Sequence, residues 1–242
     1  MPNTNDLLVL ICGLAGSGKS ASLRNMTNQD KWVYLNTESG KKLPFKNKFK
    51  SFNITNPYQV FEAFDHFTNK DTNNDGIIID SITFLMDLFE STQVLTAADT
   101  RDAWSKYAQY FKTLMQDKVV KYPKPVIMNA HILDTYNEKS MEYVSTVPVK
   151  GSLKNTGIEA YFSTIIYAKK MPVSELENFN SPLLNITEEE KELGYKHVFQ
   201  TRPTKETTGQ KIRSPMGLWD KNMTYIDNDC DKLIQRLREY YS

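Results

Sequence analysis

The chain has 242 residues, of which 40% are hydrophobic and 24% are charged, a balance typical of one folded α/β domain. The formal net charge is only +1, so no global field attracts nucleic acid, and such binding would have to come from local patches. Because the sequence lacks an apolar run of about 18 residues, a charged-then-apolar leader and closely spaced cysteines, we expect a cytoplasmic protein that neither enters membranes nor carries disulfides.

Strands and helices alternate through the first 130 residues, which is the pattern of a parallel sheet covered by helices. Apolar runs predict strands at 7–12, 32–36, 51–54, 77–80 and 125–130. The stretches between them predict helices at 21–26, 57–67, 81–90 and 101–118. The sequence therefore predicts an α/β fold with a mostly parallel sheet flanked by helices.

The remainder of the chain is less regular. Residues 134–149 are polar and indicate a loop or a hairpin, whereas 162–168 and 196–201 are predicted strands. A polar insertion over 171–195 separates those strands, and an amphipathic helix at 229–241 closes the chain. We predict a single domain over 1–242, with a core at about 7–170 and an antiparallel C-terminal extension at about 195–242.

The most specific motif occupies the turn between the first predicted strand and the helix after it. It reads G-x-x-x-x-G-K-S and comprises Gly13, Leu14, Ala15, Gly16, Ser17, Gly18, Lys19 and Ser20, with Ala21 opening the helix. In such a loop the backbone N–H groups surround a phosphate chain, the lysine binds the β- and γ-phosphates, and the serine hydroxyl binds Mg²⁺. The strand-to-helix context distinguishes it from a chance glycine-rich turn, so the sequence predicts binding of a nucleoside triphosphate.

Two carboxylates and a histidine follow strands whose ends should lie near this loop. Asp80 ends the strand at 77–80, where an acid can hold the water shell of Mg²⁺. Glu38 follows the strand at 32–36, where a carboxylate can activate a water that attacks the γ-phosphate, or can be a solvated loop residue. His131 follows the strand at 125–130 and would either detect the same phosphate or serve as a capping or core histidine.

Two segments are locally basic. Between residues 41 and 52, five lysines alternate with three phenylalanines, a pattern that suits single-stranded nucleic acid. A solvated loop whose phenylalanines pack into the core or a subunit contact is the more common explanation of such a pattern. The second segment, 196–213, has five cations against one acid, and it includes Lys211 and Arg213; an ordinary surface hairpin explains it equally well.

The order of these motifs resembles that of the RecA-like ATP-binding proteins that many bacteriophages encode, including the Sak-type single-strand annealing ATPases of the AAA type. The resemblance covers Leu7 to about Arg213, and its shared elements are the P-loop, Thr37-Glu38, Ile77-Ile78-Ile79-Asp80-Ser81, Asn129-Ala130-His131, Lys150-Gly151-Ser152-Leu153 and Gln200-Thr201-Arg202. It implies a RecA-like core that hydrolyses ATP with Mg²⁺, in which Glu38 is the catalytic glutamate. By the same resemblance, His131 ends the sensor strand, where RecA carries an amide, and Lys211 and Arg213 complete the ATP site of a neighbouring subunit.

The resemblance also implies partners and a role. It favours a homo-oligomer, ring or filament, that acts on single-stranded DNA in phage recombination or annealing, in the host cytoplasm and with a phage single-strand-binding protein as a further partner. The loop at 133–151 takes the place of a DNA-contacting loop, although three acids offset its lysines Lys139 and Lys150. Two other functions remain open, a nucleotide switch or loader that binds a partner protein and a small-molecule phosphotransferase. The second is disfavoured, because no arginine-rich lid follows the core and Glu38 suits water better than a substrate hydroxyl.

Overall fold

The computed structural model describes residues 4–242, and its centre is an eight-stranded sheet with the order β10-β9-β8-β1-β5-β4-β2-β3. The remaining two strands, β6 and β7, form a separate hairpin. In chain order the strands are β1 (Leu8–Gly13), β2 (Trp32–Asn36), β3 (Lys50–Asn53), β4 (Gly76–Asp80), β5 (Val126–His131), β6 (Leu133–Asn137), β7 (Glu142–Thr146), β8 (Thr164–Pro172), β9 (Tyr195–Gln200) and β10 (Tyr225–Asp227).

The direction of the strands divides the sheet into two parts. All strands from β8 across to β3 are parallel, whereas β9 runs antiparallel to β8 and β10 antiparallel to β9. The predicted fold class, a mostly parallel α/β sheet with an antiparallel C-terminal extension, is therefore confirmed. The central strands read as continuous apolar runs because both of their faces are covered, as in Ile77-Ile78-Ile79 of β4, which is fully buried.

Helices cover both faces of the sheet. In chain order the helices are α1 (Tyr58–Asn69), α2 (Ile82–Phe89), α3 (Thr100–Thr113), α4 (Leu153–Thr156), α5 (Val173–Leu176), α6 (Glu188–Leu193) and α7 (Cys230–Tyr241). One face is covered by α1, α2 and α3, and the opposite face by α7. Side chains cap three of these helices at their first turn: Ser81 caps α2, Asp99 caps α3 and Asp229 caps α7. Within residues 4–242, no helix combines the length and apolar character needed to cross a membrane.

Two details differ from the sequence-based expectations, and a third settles an alternative that the sequence left open. The helix predicted at 21–26 is only a 3₁₀ turn, Ser20–Leu23, because the Ser22 hydroxyl donates to the Lys19 carbonyl oxygen and competes with regular helical hydrogen bonding. The polar segment after β5 forms the β6–β7 hairpin, which is one of the two forms that the sequence indicated. The insertion contains α5 and α6, and β10 is a strand that its three residues were too few to reveal.

Candidate active site

The P-loop follows β1 at the carboxyl edge of the sheet, and its glycines are required by close contacts and backbone shape. A Cβ on Gly13 would lie 2.4 Å from Ser17 Oγ and 2.8 Å from the Ala168 carbonyl oxygen. Gly16 and Gly18 have φ values of +74° and +99°, which side chains of L-residues rarely tolerate. The loop lines a cavity of about 680 Å³, a volume within the usual range for small-molecule sites.

The Lys19 ammonium is buried against the loop that carries it. Only 6% of the residue is exposed, and Nζ donates to the carbonyl oxygens of Gly13 (2.8 Å) and Leu14 (2.9 Å). Burial lowers the pKa of Lys19 to about 8, although the negative charges of Asp80 and Glu38 oppose this shift. An ammonium group has three donors, so one remains for an anionic ligand at the mouth of the loop.

Asp80 lies in the same cavity with one oxygen fixed and the other unpaired. Tyr34, from β2, donates its hydroxyl to Asp80 Oδ2 at 2.9 Å, whereas Oδ1 has no hydrogen-bond partner in the part of the chain that the structure describes. Burial raises the pKa of Tyr34 well above its usual range, so the phenol stays a donor. A buried, unpaired carboxylate oxygen is costly, and a hydrated cation would satisfy it.

These residues fit the magnesium ion that a P-loop implies. Ser20 lines the cavity together with Asp80, and a hydroxyl, one carboxylate and phosphate oxygens are a common ligand set for Mg²⁺. Among the described residues, no group of three His, Cys, Asp or Glu side chains could hold a metal alone. The donor set therefore suits a metal that arrives with a phosphate ligand. Tyr34 was not anticipated, because a strand tyrosine gives no sequence signal of its partner.

Glu38 lies in the cavity wall and is held there by two basic side chains. Lys41 Nζ is 2.8 Å from one carboxylate oxygen and His131 Nε2 is 3.1 Å from the other. The hydrogen bond to His131, followed by the contact with Lys41, lowers the pKa of Glu38 to about 2 against the opposing effect of burial. The carboxylate is therefore ionised at neutral pH and acts as a hydrogen-bond acceptor.

His131 lies between the P-loop and the two acids, Asp80 and Glu38, because its strand β5 lies between β1 and β4 in the sheet. In the register of the sheet it lies opposite Gly13, and its backbone N–H donates to Thr83 Oγ1 at 2.9 Å. Its ring packs edge-on against Phe84. The structure thus brings Glu38 and His131 together across 93 residues of sequence.

Lys211 and Arg213 do not belong to this cavity within one chain. Lys211 Nζ lies 3.2 Å from Glu159 Oε1, and Glu159, only 1% exposed, also accepts from the Val147 N–H. The sequence offered no acidic partner for Lys211, and Glu159 is that partner. Arg213 is exposed, forms no ion pair with any described residue, and hydrogen-bonds through its backbone to Ile165.

The first basic segment contributes to the cavity rather than to an open surface. Phe45 and Phe49 pack into the core, and the Phe49 ring stacks on Tyr34 with centroids 6.0 Å apart. Lys41 and Lys42 line the cavity. The explanation in which the phenylalanines pack inward therefore applies to these two rings, whereas the third, Phe52, is 46% exposed.

The chain matches the AAA domain family over residues 5–213. It belongs to that family. The AAA domain includes the P-loop, Glu38, Asp80 and His131, and leaves β10 and α7 outside, so this protein is a nucleotide-binding ATPase of the P-loop class. No curated protein is similar enough to be matched.

One similar solved structure is that of the RadB recombinase, with 18% identity and a TM-score of 0.41 over 70% of this chain and 77% of that one. At that identity and score, the likeness supports no statement about what this AAA domain does.

Proposed function

We propose that this AAA domain hydrolyses ATP with Mg²⁺ and that single-stranded DNA stimulates the reaction. The observation that carries the proposal is the position of Glu38 in the wall of the P-loop cavity, hydrogen-bonded to His131, whose strand continues directly into the exposed β6–β7 hairpin. His131 thus contacts Glu38, the proposed water-activating group, and it also lies next to the hairpin, an exposed surface that is available to a partner.

Each residue of the cavity has a distinct part in the proposed hydrolysis. Lys19 binds the phosphate chain, and Ser20 and Asp80 are the residues that would hold Mg²⁺, which neutralises charge on the phosphate oxygens when bound. Glu38, ionised and fixed by Lys41 and His131, orients the attacking water and accepts its proton as the water oxygen bonds to the γ-phosphorus and the bond from that phosphorus to the leaving ADP oxygen breaks. Because its pKa is about 2, Glu38 is a weak base, and orientation is its larger contribution.

The hairpin provides surface for the bases of a single strand. Tyr136 and Tyr143 are 53% and 67% exposed, and their ring centroids lie 5.3 Å apart on paired positions of β6 and β7. Aromatic faces of this kind stack with bases of any sequence, and the exposed Lys139 at the turn suits the backbone. Only Ile132 separates this hairpin from His131, so DNA bound there could alter the contact between His131 and Glu38.

The test is ATP turnover measured with Mg²⁺, with and without single-stranded DNA. The wild type should hydrolyse ATP faster with DNA, and Lys19→Ala should be inactive in both conditions because the phosphate charge is unpaired. Tyr136→Ala with Tyr143→Ala should keep the basal rate and lose the stimulation.

Tyr240→Ala, which removes a similarly exposed tyrosine from α7, is the matched control and should keep both rates. A wild-type rate that rises with protein concentration but not with DNA would instead favour the nucleotide switch that binds a partner protein. Wild-type turnover in Lys19→Ala would reject the P-loop assignment.

A further inference from the structure

The cavity that contains the P-loop extends beyond it, on the side away from Glu38. In the sheet, His131 and Asp80 end β5 and β4 on one side of β1, whereas β8, β9 and β10 lie on the other side. The γ-phosphate end of a bound triphosphate must face Asp80 and Glu38, because those groups act on it. Its other end, the nucleoside, must therefore leave the P-loop toward β9 and β10.

The wall on that side is built by parts of the chain that carry no phosphate-binding motif. The insertion at 171–195 places α6 beside the P-loop, and the first strand residue after it, Tyr195, also faces the cavity. The side chains of this wall include those of Leu193, Tyr195, His197 and Asn228, and beside them lie Thr187, Glu189 and the ion pair of Lys196 with Glu190. An apolar and aromatic surface with an amide beside it is the composition expected for a base-binding site.

Tyr195 is flanked by Lys170 and His197, and His197 in turn contacts the P-loop. The Lys170 ammonium lies 3.4 Å from the centroid of the Tyr195 ring, and the His197 ring stands nearly perpendicular to it, with centroids 6.1 Å apart. His197 Nδ1 is within hydrogen-bond distance, 3.1 Å, of the Ser17 carbonyl oxygen. The aromatic wall is therefore connected to the loop that binds the phosphates, and a ring fixed in this way loses little entropy when a base stacks on it.

Asn228 provides a second, independent indication of a ligand. It is only 1% exposed and lines the cavity, yet neither Oδ1 nor Nδ2 has a hydrogen-bond partner among residues 4–242. It also lies against the P-loop, because a Cβ on Gly18 would be 3.2 Å from Oδ1 and 3.3 Å from Nδ2. A buried amide without partners is costly, and its adjacent donor and acceptor match the edge of adenine that presents N6 and a ring nitrogen.

We infer that Tyr195 and Asn228 form the nucleoside subsite of this ATPase, in which the base stacks on Tyr195 and Asn228 hydrogen-bonds the edge of adenine. The inference rests on the proposed function, since it concerns the other end of the same triphosphate. It gives the insertion at 171–195 a role, which is to build the base-side wall and to position Tyr195. It also specifies ATP as the preferred triphosphate over GTP.

The experiment separates the two ends of the ligand by calorimetric titration with ATP, GTP and inorganic tripolyphosphate, each with Mg²⁺. Tyr195→Ala should weaken ATP binding by about 10–100-fold, the usual effect of losing one stacked base, and leave tripolyphosphate binding unchanged. Tyr195→Phe should bind ATP like the wild type because the aromatic face is retained. Asn228→Ala should reduce the preference for ATP over GTP by about tenfold or more, again without changing tripolyphosphate binding.

Tyr240→Ala is the matched control for the loss of a partly exposed tyrosine elsewhere, and circular dichroism confirms the fold of each variant. Three results would overturn the inference: equal affinity of the wild type for tripolyphosphate and ATP, unchanged ATP affinity in both alanine variants, or a parallel loss of ATP and tripolyphosphate binding. If the wild type bound neither ATP nor tripolyphosphate, the proposed function would be rejected as well. That outcome is distinguishable from the three results above, in which the wild type still binds tripolyphosphate.

Discussion

The two sides of the P-loop strand β1 differ in the direction of their strands and in the side chains that they bring to the cavity. On the side of β5, β4 and β2 the strands are parallel, and their ends supply His131, Asp80 and Glu38, which are ionisable groups in direct contact with one another or with the P-loop cavity. On the side of β9 and β10 the strands are antiparallel, and the same cavity is lined by aromatic rings and an amide, with the charges of Lys196 and Glu190 paired to each other beside them.

Under the proposed function, this difference separates reaction from recognition. Charged groups that shift one another's pKa values are suited to act on a phosphoryl group, whereas fixed rings and neutral amides discriminate among bases without disturbing that charge balance. Substitutions on the first side should therefore change turnover, and substitutions on the second side should change affinity and base preference. The predictions below test that separation, beginning with the largest expected effect.

The largest effect would show that a cation outside the cavity of one subunit serves the reacting side of another. Arg213 is exposed and forms no ion pair in the described chain, so we propose that it supplies charge to a neighbouring subunit's γ-phosphate. Arg213→Ala should then lower turnover about 10³-fold or more without changing ATP affinity. Mixing with Lys19→Ala, which is inactive but has Arg213, should restore turnover at the variant's own P-loop.

Lys211→Ala serves as the contrast for Arg213→Ala. Because Lys211 pairs with the buried Glu159, its loss should reduce the free energy of unfolding by about 2 kcal/mol, and Glu159→Gln added to it should recover part of that loss. Arg213→Ala should change unfolding by less than about 0.5 kcal/mol in a urea titration. Absence of rescue at every mixing ratio, with mixed assembly confirmed, would place Arg213 on an ordinary surface.

The second effect isolates the reacting side. Glu38→Gln should lower turnover by about 10²–10⁴-fold and leave ATP affinity nearly unchanged, because the amide fills the same space but neither orients the water as a carboxylate does nor accepts its proton. This is the opposite of the result expected for Tyr195→Ala. Glu188→Gln, an exposed glutamate on α6 outside the cavity wall, is the control and should turn over normally. A fall of less than about tenfold would mean that another group positions the water.

The smallest effect concerns the pH dependence of phosphate binding. The pKa of Lys19 is lowered to about 8, so the ammonium in the free protein is lost as the pH rises above that value. A bound phosphate chain favours the charged form, so binding takes up a proton there, and tripolyphosphate affinity should fall by up to about tenfold per pH unit.

Titrations from about pH 7 to about pH 9.5 measure this slope. Tyr195→Ala should give the same slope for ATP as the wild type, since it acts only on the nucleoside end. A flat profile over that range would show that the pKa of Lys19 is not lowered.

The sequence by itself determined the reacting side well. The P-loop, Glu38, Asp80 and His131 each end or follow an apolar strand, and parallel strands bring their carboxyl ends to one edge of a sheet. Local patterns therefore predicted both the elements and their convergence. What they could not predict was which groups touch, such as Tyr34 with Asp80, or Lys41 and His131 with Glu38, because such contacts depend on side-chain placement between strands.

The other side was decided by the tertiary structure. Tyr195 and Asn228 belong to no motif, and the sequence showed only that Tyr195 ends a polar insertion and that Asn228 precedes the last helix. Tyr195 and Asn228 line the same cavity because β9 pairs antiparallel with both β8 and β10 at this edge of the sheet. The positions of the two residues therefore follow from the register of antiparallel pairing rather than from a parallel strand end. The Glu159–Lys211 pair likewise joins segments whose proximity arises only when the backbone of Arg213 hydrogen-bonds to Ile165 of β8. Long-range pairing of this kind carries no local periodicity, and only the folded chain brings such residues together.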